Sequence, residues 1–345
     1  MRATVEKIIR KGAKTTRYLI CVNGEYASVK LPNEETVYEM PKEVDFCEGD
    51  IDRNINDKWV KASDNWPKIK CKILSHLSKY KKNKLNICED GYWTNKDGEN
   101  IEYSHILPDG EIKKNLIDSS YHNSMEKTFD AEKDKIHPGF KNLNSSQAFA
   151  FNFFQPIIDE NLFYDLFELA CDNNSFAKRN HKTQIFRHKF EKDNVEDKTQ
   201  FDFYIEKSDL NVSFEVKYTE NEFGTADYES HKEKWDEIYK QKVDKLLGCN
   251  KISPEEFFEN YQIWRNILFT LDENHFSCFF YPRFREGDLT TMINQILDKY
   301  PSLKERIIIF YTDDFVNKIL DGDYSEKLKE HYREFKKKYL PDNLL

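Results

Sequence analysis

Two short runs near the middle of the chain alternate apolar and polar residues with a period of two. Gln200–Glu206 sets Phe201, Phe203 and Ile205 on one side, and Val212–Tyr218 sets Val212, Phe214, Val216 and Tyr218 on one side. Successive side chains of a strand point to opposite faces, so the pattern predicts two half-buried strands. Ser208-Asp209-Leu210-Asn211 between them is turn chemistry, and the pair reads as a hairpin. A strand is expected over about 183–191, a buried one over His275–Tyr281 and another over Arg306–Tyr311. Elsewhere the apolar spacing lengthens to that of helices. The Phe-rich stretch 145–155 opens at Asn144-Ser145-Ser146-Gln147, which fits a capping box, and Leu162–Ala170 is expected to resume the helical layer after Pro156. Trp235, Ile238, Tyr239, Val243 and Leu246 recur at helical spacing over 230–247. Phe257, Tyr261, Trp264, Leu268 and Leu271 do so over 254–271, with Ser253 as cap and Pro254 at the first position. Helix 287–299 and two final helices complete the series.

The beginning of the chain has a different pattern. RYLICVNGEYASVKL alternates on both sides of Asn23-Gly24, a type I′ hairpin signal. Residues 1–66 are therefore expected to form a small β-rich module of open role. Residues 67–120 read as a strand and loop extension, with KIKCKIL as the strand, and residues 121–345 as a mixed sheet sandwiched by helices.

Candidate chemistry follows from the strand period. Glu215 and Lys217 project from one face while their apolar neighbours pack on the other. Asp202 lies out of phase with Phe201, Phe203 and Ile205, so antiparallel pairing brings two carboxylates and an ammonium together. That set suits metal-assisted phosphodiester hydrolysis: carboxylates hold a hard divalent cation, Mg²⁺ or Mn²⁺, and the lysine orients a water or offsets phosphate charge. The competing reading is surface decoration, since cross-strand Asp/Lys pairs are common. Glu191 ends the first core strand, as an extra metal ligand or as an exposed acid beside Lys189 and Lys192. Glu168 lies on a helix that precedes the sheet, with Asp165 and Asp159 as competing acids. Gln147 is read either as a capping residue or as a catalytic one. Gln262 and Arg265 share a helix face next to the core stripe. The nine histidines show no HxxxH or HxH spacing, and His105 in YSHILP is the one to watch. No phosphate-cradling glycine loop and no nucleophile elbow is present.

With these residues in hand, the chain resembles the PD-(D/E)xK nuclease superfamily, the restriction-endonuclease-like fold. It is similar in particular to a bacterial group with a Ser-Ser-Gln helix start, a Phe-Asp strand, a Phe-Glu-Val-Lys strand and a Tyr-Gln-x-x-Arg-Asn helix. Here these stand as LNSSQAFAFNFFQPI (143–157), QFDFYI (200–205), FEVKYTENEFG (214–224) and YQIWRN (261–266), with YSHILP (103–108) upstream. Phe201 stands where the superfamily pattern has proline before the aspartate. The resemblance covers about residues 90–285. It implies an α/β (α+β) mixed sheet flanked by helices, Asp202 and Glu215 as metal ligands, Lys217 beside the water, and Gln262 and Arg265 in the active-site wall, with Arg265 suited to a phosphate.

Charge and cysteine usage adjust this picture. Net charge is −9, yet residues 1–150 carry 25 basic against 24 acidic side chains. Residues 65–88 hold Lys68, Lys70, Lys72, Lys79, Lys81, Lys82 and Lys84 without an acid, and residues 7–17 hold Lys7, Arg10, Lys11, Lys14 and Arg17 likewise. These are candidate phosphate-contacting surfaces, or solvated faces that aid solubility. Seven scattered cysteines without a CxxC pair argue against a zinc ribbon and a disulfide framework and for a reducing cytosol. No run is apolar enough to span a membrane and no signal peptide opens the chain, so a cytoplasmic protein is expected. The expectation is an Mg²⁺-dependent endonuclease acting on DNA in restriction or anti-phage defence, as a C₂ homodimer. The alternatives are an effector nuclease acting on RNA or single strands after activation, and a catalytically silent nucleic-acid-binding protein.

Overall fold

The structure, a computed structural model, describes residues 2–11, 15–22, 25–32, 42–45, 51–52, 65–94, 98–170, 187–193, 199–207, 210–220, 223–249 and 251–341. Two units are distinguished by their internal contacts. One is 1–115 with 138–145 and 337–345; the other is 116–137 with 146–336.

In the first unit, β1 (Arg2–Lys11), β2 (Thr15–Val22), β3 (Glu25–Pro32), β4 (Lys42–Asp45) and β5 (Ile51–Asp52) form an antiparallel sheet in the order β4-β1-β2-β3-β5. Val22 pairs with Glu25, as the expected hairpin requires, while the turn residues Asn23 and Gly24 lie outside the described residues. Val5, Tyr18, Ile20, Val22, Ala27 and Val29 build its core. The next element corrects the sequence reading: KIKCKIL lies within helix α1 (Asn65–Asn83). Its alternation lasts only seven residues, whereas the buried positions Ile73, Leu74, Leu77 and Lys81 continue at i+3 and i+4 spacing. A second correction concerns the thiols. Cys21 of β2 and Cys71 of α1 are joined in a disulfide across fifty positions of sequence, a pairing that spacing along the chain cannot reveal. The hairpin β6 (Gly91–Thr94) and β7 (Asn100–Tyr103) follows.

The second unit contains α2 (His122–Ala131), α3 (Ser146–Glu160), α4 (Phe163–Ala170), β8 (Arg187–Asp193), β9 (Gln200–Lys207) and β10 (Leu210–Val216). A helical run then passes through α5 (Lys232–Lys234), a π-turn at Trp235–Tyr239 and α6 (Lys240–Leu247). After it come α7 (Pro254–Glu259), α8 (Tyr261–Leu268), β11 (His275–Tyr281), α9 (Thr291–Lys299), β12 (Ile307–Tyr311), α10 (Thr312–Asp321) and α11 (Glu326–Tyr339), whose residues 337–339 count with the first unit. The sheet order is β12-β11-β10-β9-β8, with β10, β11 and β12 parallel and β9 and β8 antiparallel. This is the mixed sheet expected from the alternating runs; Ser208 and Asp209 of the β9–β10 turn lie outside the described residues.

Both faces of this sheet are covered. Phe154 of α3 stacks on Phe203 at 4.1 Å between ring centroids, and Phe149 stacks on Tyr218 at 5.0 Å. The opposite face buries Phe279 and Tyr281 among Trp235, Tyr239, Phe257 and Trp264. Ser253 caps α7 by accepting from the Glu256 N–H at 3.2 Å. Two helices depart from expectation. Helix α3 runs through Pro156 to Glu160. The expected helix 254–271 breaks at Asn260, whose φ of −124° and ψ of 38° are not helical. The break starts α8 afresh at Tyr261 and sends the Gln262 N–H to the Gly224 carbonyl at 3.0 Å. Among the described residues no helix is long and apolar enough to cross a membrane.

Candidate active site

Glu191, Asp202 and Glu215 stand in one row across three adjacent strands. The β9–β10 register pairs Phe203 with Phe214, which sets Asp202 opposite Glu215. The β8–β9 pairs Phe190↔Phe203 and Lys192↔Phe201 bracket Glu191 opposite Asp202. Directly opposed residues of antiparallel strands share a face. Glu191 reaches its place with a φ of 48°, in the left-handed region uncommon for a residue other than glycine. Such conformations persist where neighbours hold them. Here Lys135 Nζ donates to the Glu191 carbonyl at 2.5 Å, and Gln147 Nε2 donates to Glu191 Oε1 at 2.7 Å.

The row ends at the carboxyl end of β10, where the antiparallel half of the sheet meets the parallel half. Open α/β sheets take their ligands beyond the carboxyl ends of their strands. Glu215 is next to last in β10, and Lys217 prolongs the ladder by donating its N–H to the Phe280 carbonyl at 2.9 Å. Lys217 Nζ lies 3.1 Å from Glu215 Oε1. The Gln262 amide joins the two: its Nε2 donates to Glu215 Oε1 at 2.6 Å, and its Oε1 accepts from Lys217 Nζ at 2.8 Å. Asn266, one turn further along α8, donates to Glu215 Oε2 at 3.0 Å. Asp202 Oδ2 accepts the Val216 N–H at 2.7 Å.

Charge within this cluster is unbalanced. Burial, reinforced by the neighbouring Glu215 and Glu191, pushes the Asp202 pKa well up, against the opposing pull of Lys217. Burial and Glu215 likewise push Glu191 up to about 7, against the Gln147 hydrogen bond. Burial draws the Lys217 ammonium down, but Glu215, Glu220 and Asp202 outweigh it and hold the lysine cationic. Burial opposes ionisation of Glu220 too, yet Lys217, Ser146 and backbone donors leave its pKa below the usual range.

Three carboxylates offering hard oxygen ligands suit Mg²⁺ or Mn²⁺, and the acidity that Asp202 and Glu191 have lost is what a cation among them restores. Among the described residues no three His, Cys, Asp or Glu side chains are gathered into a ligand set. Glu215 shows a physical reason, since both its oxygens are held by amides of α8.

The other expected residues divide. Arg265 turns aside from the row: its Nε donates to Thr199 Oγ1 at 2.9 Å and its guanidinium lies 5.1 Å over the Tyr261 ring. Glu168 pairs with Lys318, Asp165 accepts from Tyr324, and Asp159 accepts from Ser124 and Gln155, so none of these acids enters the row. Gln147 is a wall residue, holding Glu191, the Lys135 carbonyl and the His137 N–H together. Of the lysine segment, Lys79, Lys82 and Lys84 are exposed and Lys72 is partly buried. Lys70 is buried, and so is Lys81, whose ammonium donates to the Glu89 carbonyl, Asp90 Oδ1 and the Ile106 carbonyl at 2.7, 2.9 and 3.0 Å. A surface role for Lys81 is thereby corrected: it is a structural lysine. The side chains of Lys68 and of the basic stretch 7–17 lie outside the described residues.

Sequence reasoning missed Glu220 and Lys135 and gave no role to Asn266 and Ser146, although both stand in the quoted YQIWRN and SSQ segments. Asn266 carried a usable signal, because it stands four residues after Gln262 and so shares its helix face.

Searches of curated proteins and of solved structures find no match. The family model described as restriction endonuclease associating with ARP matches residues 74–340, well over half of the chain and inclusive of every member of the carboxylate row. The chain belongs to that family of restriction endonucleases.

Proposed function

We propose that this nuclease is a divalent-metal-dependent endonuclease of the PD-(D/E)xK type that hydrolyses DNA phosphodiester bonds in restriction or anti-phage defence. The observation that carries this reading is the row Glu191–Asp202–Glu215 with Lys217 Nζ 3.1 Å from the last carboxylate. Asp202 and Glu215, with Glu191 as a third ligand, would hold Mg²⁺ or Mn²⁺. Such an ion, when bound, polarises the phosphate and acidifies a water.

The protein's own groups do the rest. Lys217, kept cationic by the surrounding acids, holds the attacking water by hydrogen bond and offsets negative charge gathering on the phosphate during in-line displacement of the 3′ oxygen. Gln262 fixes the spacing of Lys217 and Glu215 by bonding both. Asn266 and Gln147 orient Glu215 and Glu191 from opposite ends of the row. Arg265, stacked on Tyr261, is a cation suited to a DNA phosphate. Lys72, Lys79, Lys82 and Lys84 supply further phosphate contacts. Cutting both strands of a duplex favours a C₂ dimer, which light scattering tests against the 41.3 kDa chain mass.

The test is a cleavage assay on plasmid, single-stranded DNA and RNA, each with Mg²⁺ and with chelator. Metal-dependent cutting of plasmid supports the proposal. Cutting confined to RNA or single strands replaces the substrate, and binding without cutting under any metal overturns it.

A further inference from the structure

His105 has no part in the carboxylate row. It is buried in the first unit, and its Nδ1 has no hydrogen-bond partner among the described residues. Asn142 Oδ1 is buried and unpartnered in the same way. Buried polar atoms without partners are rare and ask for an explanation, often an occupant the structure does not include. The residues His105 and Asn142 both line one cavity of about 200 Å³, together with Trp93, Tyr103, Glu43 and Lys70.

The wall of this cavity has a definite chemistry. Trp93 pairs with Ile101 and Tyr103 with Gly91, so the two aromatic side chains stand on one face of the β6–β7 hairpin. Trp93 is 36% exposed, the one exposed large apolar side chain among the described residues. Tyr103 packs edge-on against the His105 ring at 5.6 Å. The hairpin can come this close only because Gly91 lacks a side chain: a Cβ there would stand 2.1 Å from the Leu107 carbonyl oxygen. Burial, aided by Lys70 and Lys81, holds the His105 pKa down to about 3, so the ring is neutral and Nδ1 can donate or accept according to tautomer. Glu43 is engaged by the Ser104 N–H and hydroxyl, both at 3.1 Å. Glu43 and Lys70 offset one another at the wall, so the lining does not favour an anionic occupant. The volume lies below the roughly 300–1,000 Å³ of pockets for drug-sized ligands, which limits the occupant to a small one.

An aromatic platform with neutral polar atoms at its edge is how proteins hold a nucleobase, stacking its face and bonding its rim. A restriction endonuclease meets such rings in its substrate. We propose that this cavity binds a single nucleobase, stacked on Trp93 and recognised by His105 Nδ1 and Asn142 Oδ1. The base is either that of a free nucleoside or one turned out of a DNA strand. The inference rests on membership of the nuclease family and is independent of the metal reading of the carboxylate row.

The test uses the full chain carrying Lys217→Ala, so that cleavage cannot consume a probe. Binding is measured by calorimetry and tryptophan fluorescence with the four deoxynucleosides, and with a duplex carrying one mismatched base beside the same duplex fully paired. Binding of a deoxynucleoside assigns a free ligand, whereas preference for the mismatched duplex alone assigns a base from the strand. In either case Trp93→Ala should weaken binding by roughly five- to hundredfold, the worth of one stacked base. Asn142→Leu should weaken it as well and change the order of preference among bases. Trp93 is exposed, so its variant decides the matter even if Asn142→Leu does not fold. The proposal is overturned if no deoxynucleoside binds and the mismatch gains nothing, or if Trp93→Ala binds every probe as its parent does.

Discussion

Glu191 stands opposite Asp202 across the β8–β9 ladder, with its backbone held in the left-handed region at a φ of 48°. Two acids so placed resist simultaneous ionisation. Burial and the nearby Glu215 raise Glu191 from an ordinary 4.5 to about 7. Below its unfolded pKa the group is protonated in both states and its contribution to stability is fully present. As pH rises the unfolded chain loses the proton first, so that contribution is lost through about pH 7. Asp202, raised in the same direction, adds to the trend. Metal-free protein should therefore lose thermal stability between about pH 5 and pH 8, at roughly 2–4 °C in Tm per kcal/mol. Glu191→Gln should flatten the profile. Thermal scans across that range check it, and a flat wild-type profile would show that the row does not exist as described.

Gln262 touches both Glu215 and Lys217, and Asn266 holds the other oxygen of Glu215. Groups that orient a ligand of a metal site typically alter metal affinity or activity by about 10–100-fold when removed. Gln262→Leu and Asn266→Ala should each raise the Mg²⁺ concentration needed for half-maximal cleavage by such a factor, with the melting curve still cooperative. Unchanged Mg²⁺ titrations in both variants would reduce the amides to packing.

The lysines of α1 and the residues after it divide into two kinds with opposite signatures. Changing Lys79, Lys82 and Lys84 to glutamine should weaken DNA binding at low salt and flatten the slope of log affinity against log salt by about 0.9 for each phosphate no longer neutralised. Lys81→Gln should instead lower Tm, because it leaves Asp90 and two carbonyls without their buried partner. Binding isotherms at several salt concentrations, set beside melting curves, separate the two. A Lys81 variant as stable as wild type would deny it the structural role.

Much of the second unit could be read from the chain because β9 and β10 alternate with a period of two and β11 and β12 are short apolar runs. Phe214, Val216 and Tyr218 had to face the core, so Glu215 and Lys217 had to share the other side. The same argument oriented Asp202. Where a local pattern was short, it misled: KIKCKIL alternates, yet the stripe through Ile73, Leu74, Leu77 and Lys81 makes the segment a helix. Long-range partners were hidden for a different reason. The hydrogen bonds of Glu215 with Gln262 and Asn266 span 47 and 51 positions, and they depend on the break at Asn260 that begins α8 beside the row. Glu191 is placed by register and by a left-handed backbone that no propensity indicates, and the Cys21–Cys71 bond by tertiary proximity alone.

The measurement that bears most directly on the account is single-turnover plasmid cleavage with Mg²⁺ by wild type and by Asp202→Asn, Glu215→Gln and Lys217→Ala, each verified as folded. Each variant removes a charge from the row or from the lysine beside it, and a loss of about 10²–10³-fold or more in rate is expected from each. Ca²⁺, larger and less demanding in geometry, should support DNA binding with little turnover. Two of the three variants cutting at the wild-type rate would contradict the assignment of this row as the catalytic centre.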